Sequence, residues 1–442
     1  MTPSLERLRP PPEVVAIART LIGAGYETWC VGGAVRDALL GESNLDWDIA
    51  TAAKPPEVKR LFRRTVPVGI EFGTIGVLDA KGVMHEVTTF RRDVEHDGRH
   101  AIVEFGASLD DDLARRDFTV NAIAYHPLEK RLHDPFDGQG DLRERVIRAV
   151  GDAQLRLEED RLRALRAIRF ASRFDFRIEP STWNAVTGSA PFLSRLSPER
   201  VKQEIEKTME QVTRPSIAFR RWREAGAFAS LAPALSTVSD GALAAIDCLP
   251  RPGLRGRPQR RALRIAALFG ECDEHVTQRA LRALRFSNQD IAWISAITDR
   301  WARLGARLTE TMLGPGAASP LTPTDAELRR LASAVGRTRT PAFMRIAAAN
   351  WATLPEHARP APSAVRTLHR RLVHVAYHDA IETGDLALDG DDMRMIGIGP
   401  GPVVGRILGV LLADVIEDPA RNERGLLLER AAALHASFIA PP

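Results

Sequence analysis

Val31-Gly32-Gly33-Ala34-Val35-Arg36-Asp37, followed closely by Leu45-Asp46-Trp47-Asp48-Ile49, is the stretch from which the fold is read. The first part is a glycine turn opening a helix, with Arg36 in the first helical turn. Paired glycines let a backbone approach a phosphate chain, and the unpaired N–H groups of a helix start attract anions. In the second part apolar and acidic residues alternate. A strand over LDWDIAT therefore puts Asp46 and Asp48 on one face and Leu45, Trp47 and Ile49 in the core. Parallel carboxylates repel each other unless a cation lies between them. Mg2+ prefers oxygen ligands, commonly one or two carboxylates plus substrate phosphates. An isolated Asp-x-Asp at a strand end is usually just solvated. Beside a glycine turn it reads as a metal site next to a phosphate cradle formed by Gly32, Gly33 and Arg36.

Working outward, Pro12 to Gly23 reads as a helix and YETWCV as the strand entering the glycine turn. KPPEVKRLF reads as a helix. GTIGVL and VMHEVTTFR read as strands joined by the turn DAKG, a hairpin signal. Glu86, on the second of these strands, is either a third carboxylate for the site or an exposed strand glutamate. After Gly151 the strand signal almost vanishes, and amphipathic helices rich in Ala, Leu and Arg continue to the C-terminus. Breaks fall at CLPRPGLRGRP, LGPGAASPLTPTD and EHARPAPS, without a fixed repeat period. The predicted class is α+β: a small mixed α/β head, then an elongated all-helical neck, body and tail. The expected divisions are 1–142 (catalytic head), 143–210 (neck), 211–325 (body) and 326–442 (tail).

The 442 residues allow about two to four domains. No apolar run reaches the roughly 20 residues that cross a bilayer, and the N-terminal stretch lacks the apolar core of a signal peptide. Cys30, Cys248 and Cys272 form no CxxC pair, which argues against a disulfide framework or zinc site. A cytoplasmic location is expected. The net charge is only +4, but the isoelectric point is near 9.2 and arginine dominates the cations. Arginine suits phosphate, yet a GC-rich genome produces the same bias, so composition leaves the partner open.

Longer motifs narrow the reading. Arg115-Arg116-Asp117-Phe118-Thr119-Val120-Asn121-Ala122, Asp134-Pro135-Phe136-Asp137-Gly138-Gln139-Gly140-Asp141-Leu142, Glu159-Asp160-Arg161-Leu162-Arg163 and Glu199-Arg200 with Glu204 follow GGAVRD and DWD in order. Together they resemble the polymerase β-type nucleotidyltransferases, specifically bacterial class II tRNA nucleotidyltransferases (CCA-adding enzymes) and their poly(A) polymerase relatives. The resemblance covers nearly the whole chain. It implies that Asp46 and Asp48 hold Mg2+, that Gly32, Gly33 and Arg36 cradle the triphosphate, and that Asp117, with Arg116 beside it, reads the ribose. It also implies a hinge at DPFDGQGDL, an orienting role for Glu159 on Arg163, and tRNA, CTP and ATP as partners.

Physics makes sense of the EDxxR segment as well. LEEDRLRALRAIRFASRF reads as one helix, with Leu162, Leu165 and Ile168 on one face and Asp160 and Arg163 as i,i+3 neighbours on the other. A carboxylate accepts from an exocyclic amine while a guanidinium donates to a ring nitrogen or carbonyl. Cytosine and adenine both offer an amino group beside an acceptor; uracil and guanine would leave groups unpaired, at about 1–3 kcal/mol each. An ordinary salt bridge is the plain alternative. Arg166, Arg169 and Arg173 read equally as phosphate contacts or as a solvated cationic face. IGIGPGPVVGRIL is a backbone phosphate contact or a simple interhelical turn. His374, His378 and Asp379 lack the spacing of an HD metal site.

Two rivals remain. CC-adding, A-adding and poly(A)-adding enzymes share the head motifs; EHDGRH, in the segment associated with the CTP-to-ATP switch, leans towards A addition. A non-catalytic RNA-binding protein would have lost DxD or EDxxR, and both are intact.

Overall fold

A computed structural model describes residues 5–42, 46–96, 101–252, 258–313 and 323–439. The chain forms two compact units, Met1–Ser236 and Thr237–Pro442.

The first unit begins with helix α1 (Pro12–Gly23), strand β1 (Thr28–Val31) and helix α2 (Gly33–Leu40). Then come β2 (Asp48–Thr51), α3 (Pro55–Leu61), β3 (Thr65–Gly69), β4 (Thr74–Leu78) and β5 (Met84–Thr89). A separate hairpin follows, β6 (Arg91–His96) and β7 (Ala101–Phe105), and after α4 (Leu109–Ala114) the chain adds β8 (Ala124–His126) and β9 (Arg131–His133). Seven strands make one mixed sheet in the order β3-β4-β5-β2-β1-β8-β9. β1 runs antiparallel to β2 with Val31 opposite Asp48, and β2 runs parallel to β5 with Ile49 opposite Val87. At its centre the sheet is covered on both faces: Trp29, Val31, Ala50, Phe90, Leu113 and Ala124 belong to a buried cluster on the face that carries Asp48, and Cys30, Ile49, Ile75 and Val87 are buried on the other.

The expected helices over 12–23 and 55–61 are present, as is the DAKG hairpin, whose strands pair Leu78 with Met84. The DxD strand starts later than expected: β2 begins at Asp48, and Asp46 and Trp47 precede it. The in-out alternation nevertheless holds, since Trp47 and Ile49 are buried while Asp46 is exposed and Asp48 half-buried. Leu45 lies outside the described residues, as does most of EHDGRH (97–100).

The same unit continues through the residues expected to form the neck (143–210) and into those expected to begin the body. α5 (Gly138–Glu144) leads to β10 (Val146–Ile147), α6 (Ala153–Glu159), α7 (Leu162–Phe174) and β11 (Arg177–Ile178), with β10 and β11 parallel. α8 (Pro180–Ser189), α9 (Pro198–Gln211), α10 (Pro215–Glu224) and α11 (Ala227–Leu231) complete it. LEEDRLRALRAIRFASRF is thus two helices rather than one. Asp160 has an extended backbone (φ −146°, ψ 99°) and its carboxylate accepts from the Leu162 N–H (3.0 Å), starting a new helix. An Asp side chain that caps competes with helix continuation, and the hydrophobic period runs through the break without revealing it.

The second unit is helical throughout its described residues. Leu308, Leu328, Phe343, Trp351 and Leu372 form one core, and Met393, Ile407, Leu411 and Leu427 another. Asp379 pairs with Arg329 at 3.3 Å, and the glycines of IGIGPGP precede the helix Pro402–Glu417.

Candidate active site

Gly32 is where the sheet meets the helix start. It caps α2 with φ +77°, a conformation that suits glycine. A Cβ there would stand 2.9 Å from Arg116 Nη1 and 3.7 Å from Asp48 Oδ2. The bare backbone lets the Arg116 guanidinium lie close over the turn, beside Asp48. Gly32, Gly33, Asp48 and Arg116 line one wall of a cleft of about 400 Å3, within the usual range for small-molecule sites. Asp160, Arg163 and Arg166 from the neck line the other.

The carboxylates sit together. One residue back along the β2–β5 register brings Glu86 opposite Asp48 on the same sheet face. Burial first, then the charges of Asp46 and Glu86, push the Asp48 carboxyl up to about 6, against the pull of Arg116. Carboxylates crowded to this degree favour a cation, and an all-oxygen set suits a hard divalent ion. Among the described residues no three His, Cys, Asp or Glu side chains form a cage. Such a site would be completed by phosphate and water, as Mg2+ commonly is.

Arg163 is held from three sides. It donates to Glu159 Oε2 (2.7 Å), the Arg156 carbonyl (2.7 Å) and the Arg115 carbonyl (3.0 Å). Glu159 also accepts from Arg156 at 2.7 Å. Asp160 is gripped by Arg200 at 2.6 Å. Four residues along the same helix, Glu204 pairs with buried Arg169 at 2.7 Å. The Glu199-Arg200…Glu204 motif therefore docks α9 through two ion pairs, one to α7 and one to Asp160 in the break just before it.

Arg36, Arg116 and Asp117, expected at the triphosphate and ribose, all line the cleft, and each also holds partners within the protein. Arg36 is buried, pairs with Asp37 (2.6 Å) and donates to Asn121 Oδ1, with its guanidinium 4.9 Å from the Phe170 ring and 4.8 Å from Phe174. Its charge is largely committed to joining α2 to α7. Asp117 accepts from the Phe118 N–H (2.9 Å), Asn121 Nδ2 (2.8 Å) and both Nε (2.8 Å) and Nη2 (2.7 Å) of Arg166. Burial would raise this carboxyl, but Arg166 and Asn121 bring it down to about 2. Its acceptor positions are filled from within the protein. Arg116 pairs with Asp112 (3.1 Å) and points at Gly32 and Asp48.

The arginines of α7 form no solvated face. Arg166 holds Asp117, Arg169 holds Glu204, and Arg173 holds both Asp37 (3.0 Å) and Glu42 (2.8 Å). Sequence spacing did not reveal that Asn121 meets Arg36, Arg166 meets Asp117 and Arg200 meets Asp160, because these partners are remote in the chain. The one local signal was the RRDFTVNA motif, which contains both Asp117 and Asn121.

Fold and cleft together define the class: a head of the nucleotidyltransferase type joined to an arginine-rich helical neck. Residues 28–148 match the family model "Poly A polymerase head domain", and residues 175–238 match "Probable RNA and SrmB- binding site of polymerase A". The CCA-adding enzyme of Lacticaseibacillus paracasei is 34% identical over 417 residues, 94% of each chain. That of Streptococcus suis is 46% identical over 199 residues; there the match spans about half of each protein, 45% of this chain and 49% of the relative. The crystal structure of Bacillus stearothermophilus CCA-adding enzyme in complex with CTP superposes with a TM-score of 0.74 at 32% identity, covering 96% and 98% of the two chains. The chain belongs to the CCA-adding enzyme family.

Proposed function

We propose that this chain adds C, C and A to the 3′ end of tRNA from CTP and ATP, releasing pyrophosphate. The observation that carries this reading is one cleft lined both by Asp48, whose carboxyl feels the charges of Asp46 and Glu86, and by the base-reading candidates Asp160 and Arg163. Family membership and the CTP complex of the B. stearothermophilus relative support it. When bound, Mg2+ held by Asp46 and Asp48 would activate the RNA 3′-hydroxyl and stabilise the leaving pyrophosphate. The N–H groups at Gly32 and Gly33, with Arg116, hold the triphosphate. Asp160 accepts from the amino group of cytosine or adenine, and Arg163, fixed by Glu159, donates to the neighbouring acceptor. In this reading Asp117 acts through Arg166, pinning the neck against the head rather than touching the ribose.

The body (211–325) and tail (326–442) hold tRNA through its phosphates. No helix among the described residues is long and apolar enough to cross a membrane, and three cysteines outside any disulfide suit a reducing cytoplasm. The head also matches a poly(A) polymerase model, so poly(A), CC or A addition on this scaffold is the second reading.

The reading is tested with Asp46→Ala and Asp48→Ala. Each should abolish Mg2+-dependent nucleotide addition while tRNA affinity stays within a few-fold. Ordinary turnover in either variant would rule out the assigned site.

A further inference from the structure

Towards β4 and β3, the sheet face that carries Glu86 has no cover from the described residues. β4 pairs with β5 so that Gly76 stands opposite Glu86 and Thr74 opposite Thr88, their hydroxyls 3.0 Å apart. Met84, Glu86 and Thr88 therefore share this face, while His85 and Val87 are buried on the other. Val66 of edge strand β3 lies opposite Gly76. A Cβ on Gly76 would meet Met84 Sδ at 2.6 Å and Val68 Cγ2 at 3.0 Å, so both side chains close over the glycine on this face. The Phe72 ring lies against Gly69, opposite Thr74 (3.7 Å to a Cβ there). Val68, Phe72 and Met84 are nevertheless 44%, 40% and 43% exposed. An exposed apolar strip next to a polar site marks an interaction surface.

We propose that this strip seats the last unpaired bases at the 3′ end of the acceptor RNA. The inference rests on the nucleotidyl-transfer reading above and adds the position of the second substrate. The incoming nucleotide's cleft lies on the Gly32 and Arg116 side of Asp48. The 3′-hydroxyl must reach the same carboxylates, and the open continuation of their face runs over β5, β4 and β3. Strand spacing puts Gly76 about 10 Å from Asp48 and β3 about 5 Å further. That span matches a terminal sugar at the carboxylates with its own and the preceding base over the strip. Bases stack on apolar and aromatic side chains without regard to sequence, which suits an end that changes with each addition. Exposed Arg63 and Arg64, just before β3, supply cations for the backbone. Glycine at 76 keeps the strip flat enough for a base.

The test uses the full chain and a tRNA transcript lacking its final A, with a photoactivatable thiouridine as its penultimate nucleotide. Irradiation should join the RNA to a peptide between Val66 and Met84. Val68→Ser, Phe72→Ser and Met84→Ser combined should lower kcat/KM for tRNA about tenfold, with KM for ATP within twofold of wild type. Phe72→Tyr, which keeps the ring, should retain most activity and separates loss of the platform from loss of fold. Cross-links found only elsewhere, or an unchanged kcat/KM for tRNA, overturn the docking surface and leave the reaction standing. A wild type that sediments as a dimer, with a monomeric and fully active triple variant, gives the strip to a second copy of this chain and also overturns it. Cross-linking here by a wild type that adds no nucleotide would support the docking surface and defeat the reaction instead.

Discussion

Replacing Asp117 by asparagine removes the charge against which Arg166 of the neck is held and keeps the side chain's size. In the folded chain Arg166 and Asn121 hold this carboxyl at about 2, against roughly 3.9 for an unfolded aspartate. A depressed folded value contributes stability that is fully present above the unfolded pKa and is lost as pH falls through the folded one. Nearly two units correspond to about 2–3 kcal/mol at neutral pH. Leaving Arg166 without its partner acts in the same direction. Urea denaturation of wild type and Asp117→Asn, with hydrogen exchange to follow the transition of α7, measures the difference. The gap should be about 2–3 kcal/mol, constant between pH 7 and pH 5, and should narrow below about pH 4. A gap under about 0.5 kcal/mol, the size of an ordinary surface change, would refute the pin. So would one that widens on acidification. If discrimination between NTP and dNTP collapses while stability holds, the ribose contact is the true role.

Asp160→Ala and Arg163→Ala should each let UTP or GTP be incorporated, with discrimination falling about 10- to 100-fold, from roughly 1–3 kcal/mol per unmatched group. Glu159→Gln should give a weaker version of the same change, because it loosens Arg163 without removing it; competition assays with mixed NTPs report all three. Gly138→Ala places a Cβ 2.3 Å from the Thr119 carbonyl oxygen and 2.8 Å from Ile123. It should cost about 1–3 kcal/mol, seen as a lower thermal midpoint, and an unchanged midpoint would mean that this turn can move aside.

The head was legible where local chemistry decides structure. The turn in GGAVRD takes a positive φ at Gly32, which a glycine supplies, and DAKG between two alternating runs makes a hairpin. Short strands gave no such signal: Ala124–His126 and Arg131–His133 are three residues each, too short for a period to show. β3 carries Pro67 and lies at the sheet edge, where proline is tolerated but argues against a strand in sequence. The break at Asp160 was hidden because Leu157, Leu162 and Leu165 keep their buried spacing through it. The α7 arginines were ambiguous for a different reason. Asp117 and Arg166 are 49 residues apart, and Asp37 and Arg173 are 136 apart, so nothing local says which arginine meets a protein carboxylate and which meets a phosphate.

Transcripts of one tRNA ending at the discriminator nucleotide, at C and at CC, each incubated with a single labelled NTP and Mg2+, test the central claim most directly. The account predicts label from CTP on the first two substrates only and from ATP on the third only, one residue at a time, with addition stopping at CCA. Continued growth from ATP alone, or equal labelling from UTP and GTP, would contradict it.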